Sequence, residues 1–290
     1  MPSTSLHDRA IILVSGPEAE HFLQNILTLD VEALQPGEVK PGALLSPQGK
    51  ILFDFLISRT SANSGKDAFQ LECRTAISDD FHRRLLLYKL RAKVEISKPE
   101  QSVVTIFWGD DSSFSESDPS LLNDTRFKDG LVKRSYAPPP ATGNEDAWHE
   151  FRIASGIAES GSDFQPGDAF PHDVLLDQTG GIGFTKGCYV GQEVVSRMQH
   201  RGTARRRVLI ATASAPLPPT GTELTVDGRP VGALGSVSGK QGLAIARIDR
   251  VKKAMDAKKP ILADTIEVVL SIPDWAGFSF PEDASPAGKD

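Results

Sequence analysis

Cys188 is the residue of this sequence whose type and surroundings best suit chemistry. It lies in the run Lys-Gly-Cys-Tyr-Val-Gly-Gln-Glu at residues 186–193, and the 290-residue chain has only two cysteines. Residues 192–198 have the pattern of a helix, with polar and acidic residues first and a base near the end. A thiol just ahead of that first turn and near Lys186 should have a lowered pKa. Because free cysteines are also common as small buried residues, spacing alone leaves a reactive thiol and a core filler equally open.

The neighbours of Cys188 each allow a functional and a structural interpretation. Lys186 could stabilise a thiolate or another anion, or it could be a solvated surface amine. Tyr189 is more typical of a packing residue, and Glu193 of a first-turn helix acid. Arg197 and Arg201, spaced i,i+4, share one helix face that could meet a phosphate or an acidic partner, or simply face solvent.

Asp54 is a second candidate, because it interrupts the otherwise apolar run 51–57. A carboxylate in such a strand is costly unless it has a partner. The two-residue period puts it on one face with Leu52 and Leu56, which argues against a solvent-facing position. We therefore expect a binding role for Asp54, with a solvent-exposed carboxylate as the alternative.

Composition excludes several classes of protein. The net charge of −6 and a pI near 5.6 argue against a nucleic-acid-coating surface. No apolar run approaches the ~18–20 residues that cross a bilayer, so no membrane partner is expected. The six histidines show no paired metal spacing, and we expect no permanently bound metal.

Cysteine use and the first residues give an expectation for the compartment. Cys73 lies in an alternating, strand-like run and is expected to be a filler. Two cysteines do not make a disulfide framework, which indicates a reducing compartment. Residues 1–10 have neither a secretory signal pattern nor the Arg-rich character of a mitochondrial presequence. The sequence therefore predicts a bacterial cytoplasmic protein.

Residues 1–100 alternate strands and helices. Strands are expected at 9–15 and 69–74, with a helix after Pro17, a hairpin turn at 47–49 and a helix capped by residues 78–80. This order predicts an α+β, ferredoxin-like arrangement. Polar, turn-rich stretches at 109–125 and 137–146 predict surface loops.

The sequence pattern changes after Arg207. Short strand-like runs separated by turn signals predict a small antiparallel β-barrel. The expected division is a region at 1–204 made of two units, roughly 1–100 and 101–204, a barrel at 205–275 and a disordered tail at 276–290.

The run at 186–193 resembles the signature of the YgfZ family of folate-binding, iron–sulfur-cluster-related proteins. Further segments look like the same family in the expected order, over roughly residues 10–250: 13–19, 22–31, 45–52, 152–157, 180–185 and 243–247. The same segments are more distantly similar to the aminomethyltransferase (T-protein) of the glycine cleavage system. That enzyme has an acidic residue in place of Cys188 and an arginine in place of Gln192.

The resemblance implies a T-protein-like folate-binding fold of ferredoxin-like units, followed by a small β-barrel. It implies tetrahydrofolate or a derivative as ligand, with Cys188 and Lys186 as the reactive pair. Two positions depart from the T-protein pattern, since Phe53 and Ala154 stand where acidic residues contact the pterin region. The expected folate-contacting residues are Asp54, Phe184, Tyr189, Gln192, Glu193, Arg197 and Arg201.

The leading hypothesis is a monomeric protein that supports synthesis or repair of iron–sulfur clusters, with reduced folate and cluster-carrier or client proteins as partners. Cys188 would supply one cluster ligand or attack one sulfur, and other ligands would come from outside the chain. The alternatives are a folate-dependent aminomethyltransferase-like C1 transferase and a non-catalytic adaptor whose arginines dock an acidic carrier.

Overall fold

A nine-stranded mixed sheet is built from the first half of the chain. The computed structural model describes residues 2–61, 67–99, 103–109, 118, 120–137, 141 and 143–281. The strands are β1 (Ser3–Leu6), β2 (Arg9–Ser15), β3 (Glu38–Leu45), β4 (Ile51–Ser61), β5 (Asp67–Arg74), β6 (Glu95–Ser97), β7 (Val104–Trp108), β8 (Leu122–Asp124) and β9 (Val132–Ser135). Their order across the sheet is β1-β7-β9-β8-β3-β4-β5-β2-β6.

The two predicted units at 1–100 and 101–204 contribute strands to this one sheet. The N-terminal strand β1 pairs with β7, and β3 pairs in parallel with β8. The expected hairpin is present, since β3 and β4 pair antiparallel around the turn that follows Ser46.

Five α-helices and a short 3-10 helix (Lys128–Gly130) accompany the strands of the described chain. The α-helices are α1 (Ala19–Ile26), α2 (Thr75–Lys89), α3 (Glu145–Ala154), α4 (Gln192–Arg201) and α5 (Ile248–Asp256). Helix α2 begins earlier than its predicted cap at residues 78–80. The backbone N–H of Thr75 donates to Asp8 O at 2.7 Å, and the Ser78 hydroxyl donates to Thr75 O inside the first turn. Strand β5 therefore leads straight into the helix.

Three apolar clusters hold the first region together. One lies between the sheet and the inward faces of α1 and α2, where Phe53 stacks on Phe81 with ring centroids 4.9 Å apart. A second surrounds Trp148 of α3. The third joins β3, the segment before α4 and the C-terminal barrel, and it contains Tyr189 and Val195. Burial of these side chains is the main stabilising contribution.

The C-terminal region is a closed antiparallel barrel, as predicted. Its strands are β10 (Arg206–Ala213), β11 (Glu223–Val226), β12 (Arg229–Ser238), β13 (Gln241–Arg247), β14 (Leu262–Ala263) and β15 (Ile266–Ser271), in the order β10-β13-β12-β11-β14-β15. Helix α5 was not predicted. Its residues Ile248, Val251 and Ala254 recur at helical spacing and are buried in the barrel cluster.

The predicted tail at 276–290 begins too early. The N–H of Gly277 donates to Gln178 Oε1 at 3.0 Å, and the Arg207 guanidinium lies 5.0 Å from the centre of the Phe278 ring. Residues 276–281 therefore pack on the fold, because two phenylalanines in this stretch have an apolar surface to cover. Residues 282–290, and parts of the loops predicted at 109–125 and 137–146, lie outside the described residues. No helix among the described residues has the length and apolar character needed to cross a membrane.

Candidate functional site

The segment that carries Cys188 has no regular secondary structure and is fixed to the sheet by hydrogen bonds. Thr28 makes three of them: its hydroxyl donates to Gly181 O at 2.7 Å and accepts from the N–H of Ala43 at 2.9 Å, while its carbonyl accepts from the N–H of Gly183 at 2.8 Å. Thr28 is fully buried. These bonds fix where the segment begins its path toward α4.

Lys186 anchors the same segment. Its ammonium donates to the carbonyl oxygens of Leu27 at 2.8 Å and Leu29 at 2.7 Å, and the side chain is buried. Burial lowers the pKa of Lys186 to about 8, against a smaller opposing effect of Asp30. The solvated-amine alternative is therefore wrong. Two of the three N–H groups are directed to backbone oxygens, and stabilisation of a thiolate by Lys186 stays a prediction.

The cysteine itself is exposed. Cys188 lies four residues before the first residue of α4, and both cysteines of the chain are free thiols. The filler interpretation of Cys188 is thus wrong for this structure, whereas Cys73 is buried and fills the core as expected. Burial, with a further contribution from Asp54, raises the pKa of the Cys73 thiol to about 12. Only Cys188 is placed to react.

Two glycines allow the start of α4 to approach the β3–β4 turn. Gly191 has φ of 81°, and a Cβ at this position would lie 2.6 Å from Ser46 O. A Cβ at Gly49 would lie 2.9 Å from the Cβ of Val194. A Cβ at Gly187 would meet nothing within 4 Å, so packing does not require glycine beside the cysteine.

The other predicted contacts near Cys188 divide between core and surface. Tyr189 is buried in the cluster that joins sheet and barrel, and burial raises its pKa to about 12. Phe184 is exposed, with its ring 6.3 Å from that of His172. Gln192 is half-buried in the first turn of α4.

The charged residues of α4 face solvent. Glu193 accepts a hydrogen bond from Arg197 at 2.7 Å, one helical turn away, and both side chains are well exposed. Arg201 is also exposed at the end of the helix. These positions match the structural interpretations of a first-turn acid and a solvated basic face.

Asp54 lies elsewhere, in a pocket between the sheet and the irregular segment after α3. Its carboxylate accepts hydrogen bonds from the hydroxyl and the N–H of Ser160. None of Cys188, Lys186 and the other predicted contacts lines this pocket. The set predicted to contact one folate is therefore split, because the run at 186–193 packs on β3 and the barrel while Asp54 faces the segment at 156–160.

The pocket is lined by charges that continue into a buried network. Arg134 donates to Glu72 at 2.6 and 2.8 Å and to Asp124 at 2.8 Å. Arg9 donates to Glu159 at 2.6 Å. Burial acts to raise the pKa of Glu159, but the attraction of Arg9 and neighbouring arginines outweighs it and holds that pKa well below its usual range.

Glu159 is the pocket carboxylate that sequence reasoning missed. Its Oε1 atom is buried without a hydrogen-bond donor among the described residues, and Nη1 of Arg126 lies 3.8 Å from it. Ala154, expected to mark the lost pterin contact, is exposed at the end of α3 and does not line the pocket. Gly156, with φ of 73°, turns the chain after α3 so that residue 159 enters the site instead. Gly156 was therefore the sequence feature that could have indicated that a residue after α3 enters the pocket.

The pocket has side chains that suit a pterin, but its volume is too small to hold one. The free carboxylate oxygen of Glu159 suits N–H donors, and Phe55, Phe164 and Trp275 supply aromatic walls. The enclosed volume is about 40 Å³, whereas sites for drug-sized ligands typically hold ~300–1,000 Å³. A folate would bind here only with displacement of a wall.

Metal ligands are not grouped in the described part of the chain. Within it, no set of three or more His, Cys, Asp or Glu side chains could hold a metal ion. Any metal that meets Cys188 would therefore need ligands beyond those residues.

The barrel matches a known domain family. Residues 205–278 match the family described as CAF17, C-terminal beta-barrel domain. The fold as a whole is similar to the crystal structure of glycine cleavage system aminomethyltransferase T from Bartonella henselae, with a TM-score of 0.70 and 16% identity over 94% of this chain and 86% of that one. At this identity the likeness establishes the fold alone.

Curated relatives extend over nearly the whole chain. The iron-sulfur cluster assembly factor IBA57, mitochondrial, of Homo sapiens is 28% identical over 93% of this chain and 84% of its own length. The mouse protein of the same name matches with the same identity and coverage. The homolog from Neurospora crassa is 31% identical over 71% of this chain and 52% of its own length.

These names correct two expectations. The relatives are called IBA57 rather than YgfZ. They are also mitochondrial proteins of eukaryotes, which contradicts the predicted bacterial cytoplasmic location. The barrel thus matches the CAF17 C-terminal domain, the chain is similar to proteins named IBA57, and its fold is that of aminomethyltransferase T.

Proposed function

We propose that this chain supports assembly of iron–sulfur clusters in client proteins, and that the thiol of Cys188 is the group that contacts the cluster. The relatives that cover most of the chain are named iron–sulfur cluster assembly factors. The observation that carries the proposal for the site is the exposed Cys188 thiol on a segment tied to the sheet by Lys186 and Thr28.

One thiolate is a partial ligand set. Iron–sulfur clusters are generally held by about four cysteine thiolates, and the described chain groups no further metal ligands. We infer that the remaining ligands come from a carrier or client protein, or from a small thiol. The cluster is therefore cargo, shared across an interface, rather than a resident cofactor.

Rigidity of the support favours this role. The ammonium of Lys186 and the hydroxyl of Thr28 join the cysteine segment to residues 27–29 and 43. Gly191 brings the start of α4 against the β3–β4 turn. A sulfur held from both sides loses less conformational freedom when it binds iron, which favours an exchangeable ligand in a defined position.

The test compares two cysteine variants in cells depleted of their own assembly factor. Cys188→Ser should abolish the rescue of cluster-dependent enzyme activity, while Cys73→Ser should retain it. Both proteins must be present at wild-type level with a similar unfolding midpoint, because Cys73 is part of the core. Full rescue by folded Cys188→Ser would refute the thiol role.

Reduced folate is the second part of the proposal, as a ligand of the pocket that contains Asp54 and Glu159, which must widen from about 40 Å³ to admit it. The hydrogen-bond-free oxygen of Glu159 and the aromatic walls support it. When bound, a reduced folate would supply a one-carbon carrier or a redox-active pterin at this position. Titration calorimetry with tetrahydrofolate should show binding to the wild-type protein and weaker binding to Glu159→Gln, with Ala154→Glu unchanged. Equal affinity for wild type and Glu159→Gln would reject this pocket as the folate site.

A further inference from the structure

The outward face of helix α2 carries leucines that the core does not use. Phe81 and Leu85 point inward and are fully buried. Leu86, Leu87 and Leu90 are 44%, 68% and 86% exposed. The helix therefore presents apolar side chains on two faces, and only one of them is explained by the fold.

The exposed leucines form a stripe. Arg83, Leu86, Leu87 and Leu90 follow the spacing i, i+3, i+4 and i+7, which brings side chains to one side of a helix. Scattered single leucines on a surface need no explanation, but contiguous exposed apolar groups mark interaction sites. We call Arg83, Leu86, Leu87 and Leu90 the α2 stripe.

The end of the stripe is conformationally unusual. Leu90 follows the last helical residue with φ of 47° and ψ of −108°. Positive φ is sparsely populated by bulky residues, and glycine is the common residue just past a helix end. Here a leucine occupies that conformation with its side chain in solvent. Strained residues of this kind persist preferentially at functional positions.

Positive charge surrounds the stripe. Residues 81–94 contain five Lys and Arg and no Asp or Glu, in a chain whose net charge is −6. Arg83 pairs with Asp80. Within the described residues, no ion pair involves the exposed side chains of Arg84, Arg91 or Lys93. The carboxylate of Glu18 accepts a hydrogen bond from the backbone N–H of Lys93 at 2.7 Å. The flank of the stripe therefore carries more cations than carboxylates.

We propose that the α2 stripe is a docking surface for an acidic amphipathic helix of a protein partner. The three leucines, three, four and seven residues after Arg83, suit the ridge of another helix. The flanking arginines and lysines suit glutamate or aspartate beside that ridge. The inference is independent of Cys188, which lies in a segment that packs in a different apolar cluster.

Two other occupants fit less well. In an antiparallel pairing of two copies centred on Leu86 and Leu87, Arg84 would face Lys89 of the second copy, so like charges would meet. An anionic membrane extends beyond the stripe and would also meet the carboxylates of Asp79 and Asp80, whereas a single helix can be confined to the leucines and their basic flank. The three leucines alone are too small a surface for a permanent complex, which favours a transient partner.

The experiment uses the full chain and a synthetic amphipathic helix of about 18 residues, with leucines at the stripe spacing and glutamates beside them. Fluorescence anisotropy at low salt should show binding that Leu87→Asp weakens by roughly tenfold or more. The matched control is Val269→Asp on β15, where the valine is 63% exposed and belongs to the barrel rather than to the sheet on which α2 packs. It should bind the peptide like wild type.

Charge is tested by a second pair of variants with equal change in net charge. Arg84→Glu with Arg91→Glu should weaken binding, and Arg229→Glu with Lys253→Glu on the barrel should not. A peptide with lysines in place of the glutamates should not bind. Hydrogen exchange should slow in α2 when the acidic peptide is added, and Cys188→Ser should leave its affinity unchanged.

Several results would overturn the proposal. No binding of the acidic peptide, or equal binding of its lysine counterpart, would remove the charge argument. Binding of phosphatidylserine vesicles that depends on Leu87 while the peptide fails would assign the stripe to membranes. A dimer in sedimentation that Leu87→Asp dissociates would assign it to a second copy.

Discussion

The ammonium nitrogen of Lys186, a residue two positions before Cys188, lies 2.7 Å from the carbonyl oxygen of Leu29. The bond links the exposed thiol segment to the loop that follows α1. Lys186 has no carboxylate within hydrogen-bond distance in the described structure, and its partners there are the oxygens of Leu27 and Leu29. These two bonds position the cysteine segment.

Replacement of Lys186 by methionine should destabilise the protein. Methionine leaves two carbonyl oxygens without their donor, and such a loss costs about 1–3 kcal/mol of unfolding free energy. Urea unfolding at neutral pH measures it. Lys253→Met on the exposed side of α5 is the control and should change little. An unchanged midpoint for Lys186→Met would contradict the anchoring role.

The contribution of Lys186 to stability should rise with pH. Its pKa is about 8 in the folded protein, against an ordinary value of 10.5. Between these two values the unfolded chain holds the proton that the folded chain has lost, so the free energy of unfolding increases as pH rises. Below about pH 8 both states are protonated and the contribution is constant and lowest.

The measurement is the difference in unfolding free energy between wild type and Lys186→Met at several pH values from 7 to 10.5. We expect this difference to move in favour of wild type above pH 8. A flat difference would show that burial does not perturb the ammonium. The neutral amine keeps two N–H groups, enough for both carbonyl oxygens.

Gly191→Ala should cost stability, whereas Gly187→Ala should not. Gly191 combines φ of 81° with a Cβ position 2.6 Å from a backbone oxygen, while Gly187 has open space. Strain of this kind typically costs ~1–3 kcal/mol. Thermal unfolding of the two variants provides the comparison. Equal midpoints would mean that α4 and the β3–β4 turn can separate easily.

The two thiols should differ in reactivity. In the native protein one equivalent of an aromatic disulfide reagent should react quickly at Cys188, since only this thiol is exposed. Cys73 should react only after unfolding, because it is buried and its pKa is raised to about 12. Cys188→Ser should abolish the fast phase. Rapid labelling of that variant would contradict the assignment.

Arg134→Met should destabilise strongly. The guanidinium is fully buried between Glu72 and Asp124, and removal of one member of a buried ion pair costs about 3–5 kcal/mol. Arg83→Met removes an exposed pair with Asp80 and should have little effect. Urea unfolding of both variants distinguishes them. Similar small effects would show that the buried charges are hydrated in solution.

Local pattern determined much of the fold. The alternation in β2, the turn between β3 and β4, and the short strands after Arg207 each depend on neighbours a few residues apart, so they could be predicted from the sequence. Spacing left the role of Cys188 open, and only the family resemblance indicated a reactive thiol. Helix α5 was missed although Ile248, Val251 and Ala254 recur at helical spacing. The runs on either side of it are short strands, so only strands were predicted after Arg207.

Contacts between distant residues decided the site. Arg9 and Glu159 are 150 positions apart in the chain, and Lys186 meets Leu27 across 159. Sequence periodicity carries no information about contacts between residues so far apart, so Glu159 was missed, and neither the exposure of Ala154 nor the backbone partners of Lys186 were predicted. The sequence determined which side chains carry charge and where strands and helices form. Tertiary packing decided which of those charges are buried together, because burial depends on the closing of surfaces from separate parts of the chain.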